Sequence, residues 1–188
     1  MSSSAFTKGK YPHRYKVQYT EPLTDQQFKE GMLKGHFVRS PKHQGLVVFL
    51  HYSAARISEA LSMTREQFRL TPSKLYCDIG LRLKGSKKVP PLSIPLDTLF
   101  VEYLVDSVVA TGKGKPVWPY CRKTGYNIVH RVFHYPHYHR LSRITSFFQQ
   151  HFTIPEVRSY TGLSLAALEY YVGLVSIEKM GEALPKRR

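Results

Sequence analysis

The order of apolar and polar positions along this chain predicts a mainly helical protein interrupted by one β-hairpin. Near the start, P-L-T-D-Q-Q-F-K-E-G-M-L offers Thr24 as an N-cap. Phe28, Met32 and Leu33 follow as an apolar stripe, so the first helix is expected over about 24–34. Gly45–Leu61 is apolar, then helical by period. It reads as one central helix buried on most faces, with Ser53-Ala54-Ala55 as a tight spot. Thr64–Phe68 resembles a short helical turn. Leu75–Leu83 reads as a strand, Lys84-Gly85-Ser86-Lys87 as a turn and Lys88–Pro95 as the returning strand. Pro90-Pro91 restrict that return to a sheet edge, because proline cannot donate to a ladder.

The second half of the chain continues in helices. One is expected over about 97–110, with Leu99, Phe100, Tyr103, Leu104 and Val108 on its apolar face. Thr111–Pro116 is a loop by composition. Thr124–Phe133 fits a helix with Tyr126, Val129 and Phe133 in register, and Pro136 opens the next, to about His151. Pro155–Tyr160 and Ser164–Val172 read as two short helices parted at Gly162. Residues 1–18 are polar and basic and are expected to form an arm ordered on a partner. Residues 19–173 form one domain, and 174–188 form a tail with Val175, Ile177, Met180 and Leu184 at roughly helical spacing. That spacing reads as a helix folded back on its own core.

Composition narrows the function. The chain has 188 residues, 42% of them apolar, enough for a real core. No apolar run is long enough for a membrane span, and the first residues lack the apolar core of a secretion signal. Cys77 and Cys121 form no C-x-x-C pair and are expected to be free thiols in a reducing, intracellular compartment. Lys and Arg total 28 against 13 Asp and Glu, a formal charge of +15. Such an excess favours a polyanion, most often nucleic acid.

Several residues then stand out as candidate chemistry. Arg56 is expected inside an apolar helix, where an unpaired charge is costly, and Glu59 lies one turn on. The pair is either a structural anchor or a guanidinium held ready for a phosphate. His137 and Arg140 share one face at the start of a helix, where the dipole and free N–H groups favour an anion. Taken alone that pair is a common pattern, and His134, His139 and Arg143 compete with it. Lys84 on the turn is either solvated or a mobile ammonium able to protonate a leaving oxygen. Lys87, Lys88 and Arg143 are candidate DNA contacts. Tyr170 and Tyr171 point about 100° apart on a helix, so one can be buried while the other faces a cleft. No H-E-x-x-H or Cys/His cluster is present, so no metal site is expected.

Taken in order, these segments resemble the catalytic domain of the tyrosine recombinases, the phage-integrase-like family, over roughly Tyr19 to Gly173. A-A-R-I-S-E-A-L-S-M resembles the family's first arginine motif, which implies a catalytic Arg56 supported by Glu59. L-R-L-K-G-S-K-K-V-P-P-L-S-I-P looks like its β-hairpin, which implies a catalytic Lys84. V-W-P-Y-C-R-K-T-G-Y-N-I-V-H-R-V is similar to the segment before the second box, and P-H-Y-H-R-L-S-R-I-T resembles that box, with His137 and Arg140. Leu168-Glu169-Tyr170-Tyr171 resembles the nucleophile segment. Tyr171 aligns with fewer gaps than Tyr170 and is preferred. Leu163 departs from the family's usual His or Trp after Gly162, and only a basic arm stands where the family carries a DNA-clamping domain.

The resemblance implies a mainly α fold with a small antiparallel β-hairpin or sheet. It implies an enzyme that cuts and rejoins double-stranded DNA through a 3′-phosphotyrosine link, without cofactor or metal, as a homo-tetramer assembled on DNA in which the tail at 174–188 docks on a neighbouring subunit. It also implies a setting in mobile-element integration or recombination. The alternatives are a type IB topoisomerase-like activity and a catalytically weakened DNA-binding protein.

Overall fold

The computed structural model describes residues 22–34, 40–79, 91–133 and 135–182, with side chains as far as Gly173. The expected arm at 1–18, the turn with Lys84, Lys87 and Lys88, His134 and the end of the tail lie outside the described residues. The elements run α1 (Asp25–Lys34), α2 (Pro41–Ser53), α3 (Ile57–Leu61), a 3-10 turn (Arg65–Gln67), β1 (Phe68–Leu70), β2 (Lys74–Cys77), β3 (Leu92–Pro95), α4 (Val101–Val109), α5 (Arg122–Phe133), α6 (Pro136–Gln149), α7 (Ile154–Thr161) and α8 (Leu165–Glu182). The expected class, mainly α with a small antiparallel sheet, is what the chain forms.

Local chemistry sets most of these boundaries. Thr24 precedes α1 and exchanges hydrogen bonds with Gln27: Gln27 N–H donates to Thr24 Oγ1 at 3.1 Å, and Thr24 N–H to Gln27 Oε1 at 2.9 Å. Pro136 opens α6, where its missing N–H is harmless. Thr153 and Glu156 form a capping box on α7, and Gly162 ends that helix at φ 64°, a left-handed conformation that suits glycine.

The elements bury two adjoining apolar clusters. The larger joins α1, α2, the sheet, α4 and α5 through Phe28, Leu46, Phe49, Leu75, Leu104, Trp118 and Val129. The smaller joins α6, α7 and α8 through Ile144, Phe148, Val157, Leu163, Leu168 and Tyr171, and it also takes in Ala54. Helix α2 runs through the middle, packed against both α4 and α6, while α8 packs on α6. Its approach to α4 is close: a Cβ on Gly45 would lie 2.1 Å from Ser107 Oγ and 2.7 Å from the Tyr103 carbonyl.

The structure alters several local expectations. Leu33 is 69% exposed, so the core stripe of α1 is Phe28 and Met32 only. Tyr126 likewise faces outward, and α5 buries Gly125, Ile128, Val129 and Phe133 instead. Helix α4 starts at Val101, because Leu96–Phe100 form turns and Phe100 adopts φ 63°. A third strand, β1, joins the expected pair. The sheet order is β1-β2-β3, both pairings antiparallel, with Phe68 opposite Cys77 and Cys77 opposite Leu92. Strand β3 lies at the edge, where its flanking prolines are tolerated. The two short helices expected near the end become α7 and a long α8, whose backbone continues to Glu182.

Candidate functional site

The site begins where the expected central helix breaks. Helix α2 stops at Ser53, and Ala54 turns left-handed at φ 51° and ψ 24°. Ala55 N–H donates to Ser53 Oγ at 3.1 Å, a local bond that competes with helix continuation. Arg56 is extended at φ −72° and ψ 152°, and α3 starts after it. Arg56 is therefore not inside an apolar helix. It sits at a helix junction, with its side chain 53% exposed.

Glu59 organises this junction. Its Oε2 accepts the Arg56 backbone N–H at 2.6 Å and its Oε1 accepts Arg56 Nη1 at 2.6 Å. The same carboxylate faces a second guanidinium, with Arg140 Nη1 at 3.9 Å from Oε2. One acid thus offsets two cations from segments far apart in sequence. Arg140 is 2% exposed, so the costly buried charge in this protein is Arg140 rather than Arg56. Its Nη1 donates to the Ala54 carbonyl, and its buried Nη2 has no hydrogen-bond partner among the described residues. Burial lowers its pKa, Glu59 opposes that shift and Arg56 adds to it.

His137 and Tyr171 complete the cluster. His137 lies one turn before Arg140 on the exposed side of α6. Its pKa is lowered by desolvation first, then by the charges of Arg140 and Arg56, so the ring is neutral near pH 7. Tyr171 is 6% exposed and faces this group from α8, whereas Tyr170 is 55% exposed. Desolvation raises the Tyr171 pKa. The Arg140 charge and hydrogen bonding, and the Arg56 charge, pull it down, while Tyr170 pushes it up. Leu163 packs beside Tyr171 and Leu168 in the smaller core cluster.

The chain thus brings Arg56, Glu59, His137, Arg140 and Tyr171 together and turns Tyr170 away. Lys84, Lys87 and Lys88 lie outside the described residues. Arg143, one turn beyond Arg140, does not join this cluster. Its guanidinium lies over the rings of Tyr52 at 5.0 Å and Phe147 at 5.5 Å. Among the described residues, no group of three or more His, Cys, Asp or Glu side chains converges as a metal site would, and no helix is long and apolar enough to cross a membrane.

Two features depend on the fold. The first is the Ala54 carbonyl, a backbone acceptor that no side-chain motif reports. The second is a buried histidine pair behind the site: His139 Nδ1 and His51 Nδ1 are 3.4 Å apart, and His51 stacks on Phe28 at 3.7 Å. Burial holds the His139 pKa down to about 3 and that of His51 well below the ordinary value. His51 was visible as a polar residue in an apolar run, but only the fold pairs it with His139.

This architecture is the fold of a tyrosine-recombinase catalytic domain. The chain is similar to the XerH site-specific recombinase bound to a palindromic difH substrate in a post-cleavage complex, with a TM-score of 0.62 and 18% sequence identity. That match covers 87% of this chain and 52% of the other. A pre-cleavage complex of XerH with difH matches with a TM-score of 0.56 and 19% identity, covering 84% of this chain and 50% of that one. The chain spans about half the length of these recombinases. No protein-family model matches it, and no curated protein matches it by sequence.

Proposed function

We propose that this protein cuts and rejoins DNA strands by tyrosine-recombinase chemistry, with Tyr171 as nucleophile. The observation that carries the proposal is the meeting of two guanidiniums, a neutral imidazole and a buried phenol from the α2–α3 junction, α6 and α8. In the reaction, Arg56 and Arg140 grip the non-bridging oxygens of a phosphodiester and offset the charge of the phosphorane. The unused Nη2 of Arg140 is a buried donor that an anionic oxygen would satisfy. Tyr171 Oη attacks phosphorus and passes its proton to His137, which its lowered pKa keeps free to accept. The new P–O(Tyr) bond replaces the bond to the 5′-oxygen, which takes a proton from Lys84. A 5′-hydroxyl then reverses the step on another strand. A diester becomes a diester, so neither nucleotide cofactor nor metal is required.

The likeness to DNA-bound recombinases supports double-stranded DNA as the partner, and the charge of +15 agrees with it. On this reading the protein works inside the cell on DNA of a mobile element, with Lys87, Lys88 and Arg143 as further DNA contacts. The active assembly is a homo-tetramer in which the tail beyond Tyr171 docks on a neighbouring protomer.

The test is a nicked suicide duplex. A covalent protein–DNA adduct is expected with the wild type and Tyr170→Phe and is expected to vanish in Tyr171→Phe. Binding without any adduct would instead support a weakened DNA-binding protein, a reading that Leu163 favours because it offers the phosphate no hydrogen bond. Relaxation of supercoiled DNA without synapsis would point to a topoisomerase.

A further inference from the structure

The end of α2 is held by side chains from two other helices. A helix leaves its last carbonyls without partners, and these must be filled from elsewhere. Here the Tyr160 hydroxyl of α7 donates to the Tyr52 carbonyl, and Arg140 Nη1 of α6 donates to the Ala54 carbonyl two residues on. Between the two acceptors the chain passes from helix to the left-handed turn at Ala54. A rotation of the Tyr52–Ala54 backbone moves both carbonyls at once.

Tyr160 is itself fixed. Its ring meets the edge of Phe147 at 4.8 Å, with 72° between the planes. The Arg143 guanidinium lies over Phe147 and also over the ring of Tyr52. The Tyr52 hydroxyl donates to the Leu99 carbonyl at 3.1 Å, which anchors the far side of the same residue. Tyr52, Arg143, Phe147 and Tyr160 therefore close a circuit through α2, α6 and α7 around the Arg140 acceptor.

We infer that Tyr160 is a positioning residue: by tying α7 to the Tyr52 carbonyl it sets the Ala54 carbonyl on which the Arg140 guanidinium is aimed. This rests on the recombinase reading for its consequence, though not for its geometry. Displacing a clamp residue by a fraction of an ångström is costly to a reaction that depends on alignment, while ground-state binding along a long duplex is spread over many contacts.

The deciding variant is Tyr160→Phe, which keeps the ring on Phe147 and removes only the hydroxyl. Three measurements apply to the full chain: single-turnover cleavage of the nicked duplex at saturating DNA, Kd for that duplex, and the His137 titration by NMR. Cleavage is expected to slow on the order of ten-fold, with Kd essentially unchanged. The His137 pKa is expected to rise, because the Arg140 charge that depresses it has moved. Phe147→Leu, which loosens the phenol without deleting it, is expected to give a smaller change in the same direction. Cleavage at the wild-type rate, or a parallel loss of rate and affinity with His137 unmoved, would overturn the inference. If the wild type forms no adduct, the recombinase reading fails. The His137 titration then still decides whether Tyr160 positions Arg140, with an unshifted value in Tyr160→Phe ruling it out.

Discussion

Arg140 on α6 donates a hydrogen bond to the carbonyl of Ala54, a non-glycine residue held at φ 51° in the break between α2 and α3. A buried cation is thereby oriented by a backbone carbonyl that is free to accept because the helix stops where it does. Substitution by Val should expose this dependence. A β-branched side chain is an outlier at positive φ, and Ala54 is fully buried. Ala54→Val is expected to destabilise the protein by more than about 2 kcal/mol. Urea denaturation measures the loss, and any adduct formed by the folded fraction should appear more slowly.

Glu59 sits between two guanidiniums, so its charge matters more than its shape. Glu59→Gln keeps an acceptor for the Arg56 N–H but leaves Arg56 and Arg140 to repel each other. A loss of about 1–3 kcal/mol is expected, together with a further fall of the His137 pKa. Thermal melts and NMR titration check the two effects separately. An unaltered melt would mean that solvent already screens the pair.

The buried histidines predict an acid limb in stability. For a His whose folded pKa is depressed, the unfolded chain binds the proton first. Its contribution is therefore complete above the ordinary value of 6.5 and is lost as pH falls toward the folded value, about 3 for His139. At pH 5 that amounts to about 2 kcal/mol from His139 alone. The His51 pKa is also lowered, so it adds in the same direction. A series of denaturation curves from pH 7.5 to 4.5 should show the decline, and His139→Phe should flatten it.

Cleavage should follow a different group. In the proposed mechanism His137 accepts a proton only when neutral, and partial desolvation with two nearby arginines lowers its pKa. The cleavage rate is expected to be flat through neutral pH and to fall only below the ordinary His range. Single-turnover rates against pH give the midpoint, and Glu59→Gln should move it lower still.

The approach of α2 to α4 supplies a test of the scaffold. Gly45→Ala puts a methyl group against Ser107 Oγ and the Tyr103 carbonyl, at 2.1 and 2.7 Å. The helices must part, at a cost of about 1–3 kcal/mol. Adding Ser107→Ala should restore part of the loss and no more, since the carbonyl remains. Chemical denaturation of the double variant measures the recovery.

Much of this protein was legible before folding. Periodicity located α1, α5, α6 and the hairpin strands, because local hydrogen bonding and apolar stripes act over a few residues. The order Arg56, Glu59, His137, Arg140 and the Tyr170–Tyr171 pair was legible too, through its resemblance to the recombinase motifs. Exposure was harder: Leu33 and Tyr126 have core-like periodicity yet stay exposed, because no element among the described residues covers them. The break at Ala54 was missed because nothing in Ser53-Ala54-Ala55 forbids a helix. Its left-handed turn is favoured only once Arg140 of α6 and Tyr160 of α7 fill the carbonyls around it. The choice between Tyr171 and Tyr170 is tertiary for the same reason. Adjacent residues on one helix differ only in which way they point, and the packing of α8 on α6 turns Tyr171 toward the arginines. Sequence alone determined which chemical groups the chain carries and the local elements that bear them. Tertiary packing decided which of those groups meet, because burial, backbone acceptors and charge neighbours depend on contacts between segments far apart in the chain.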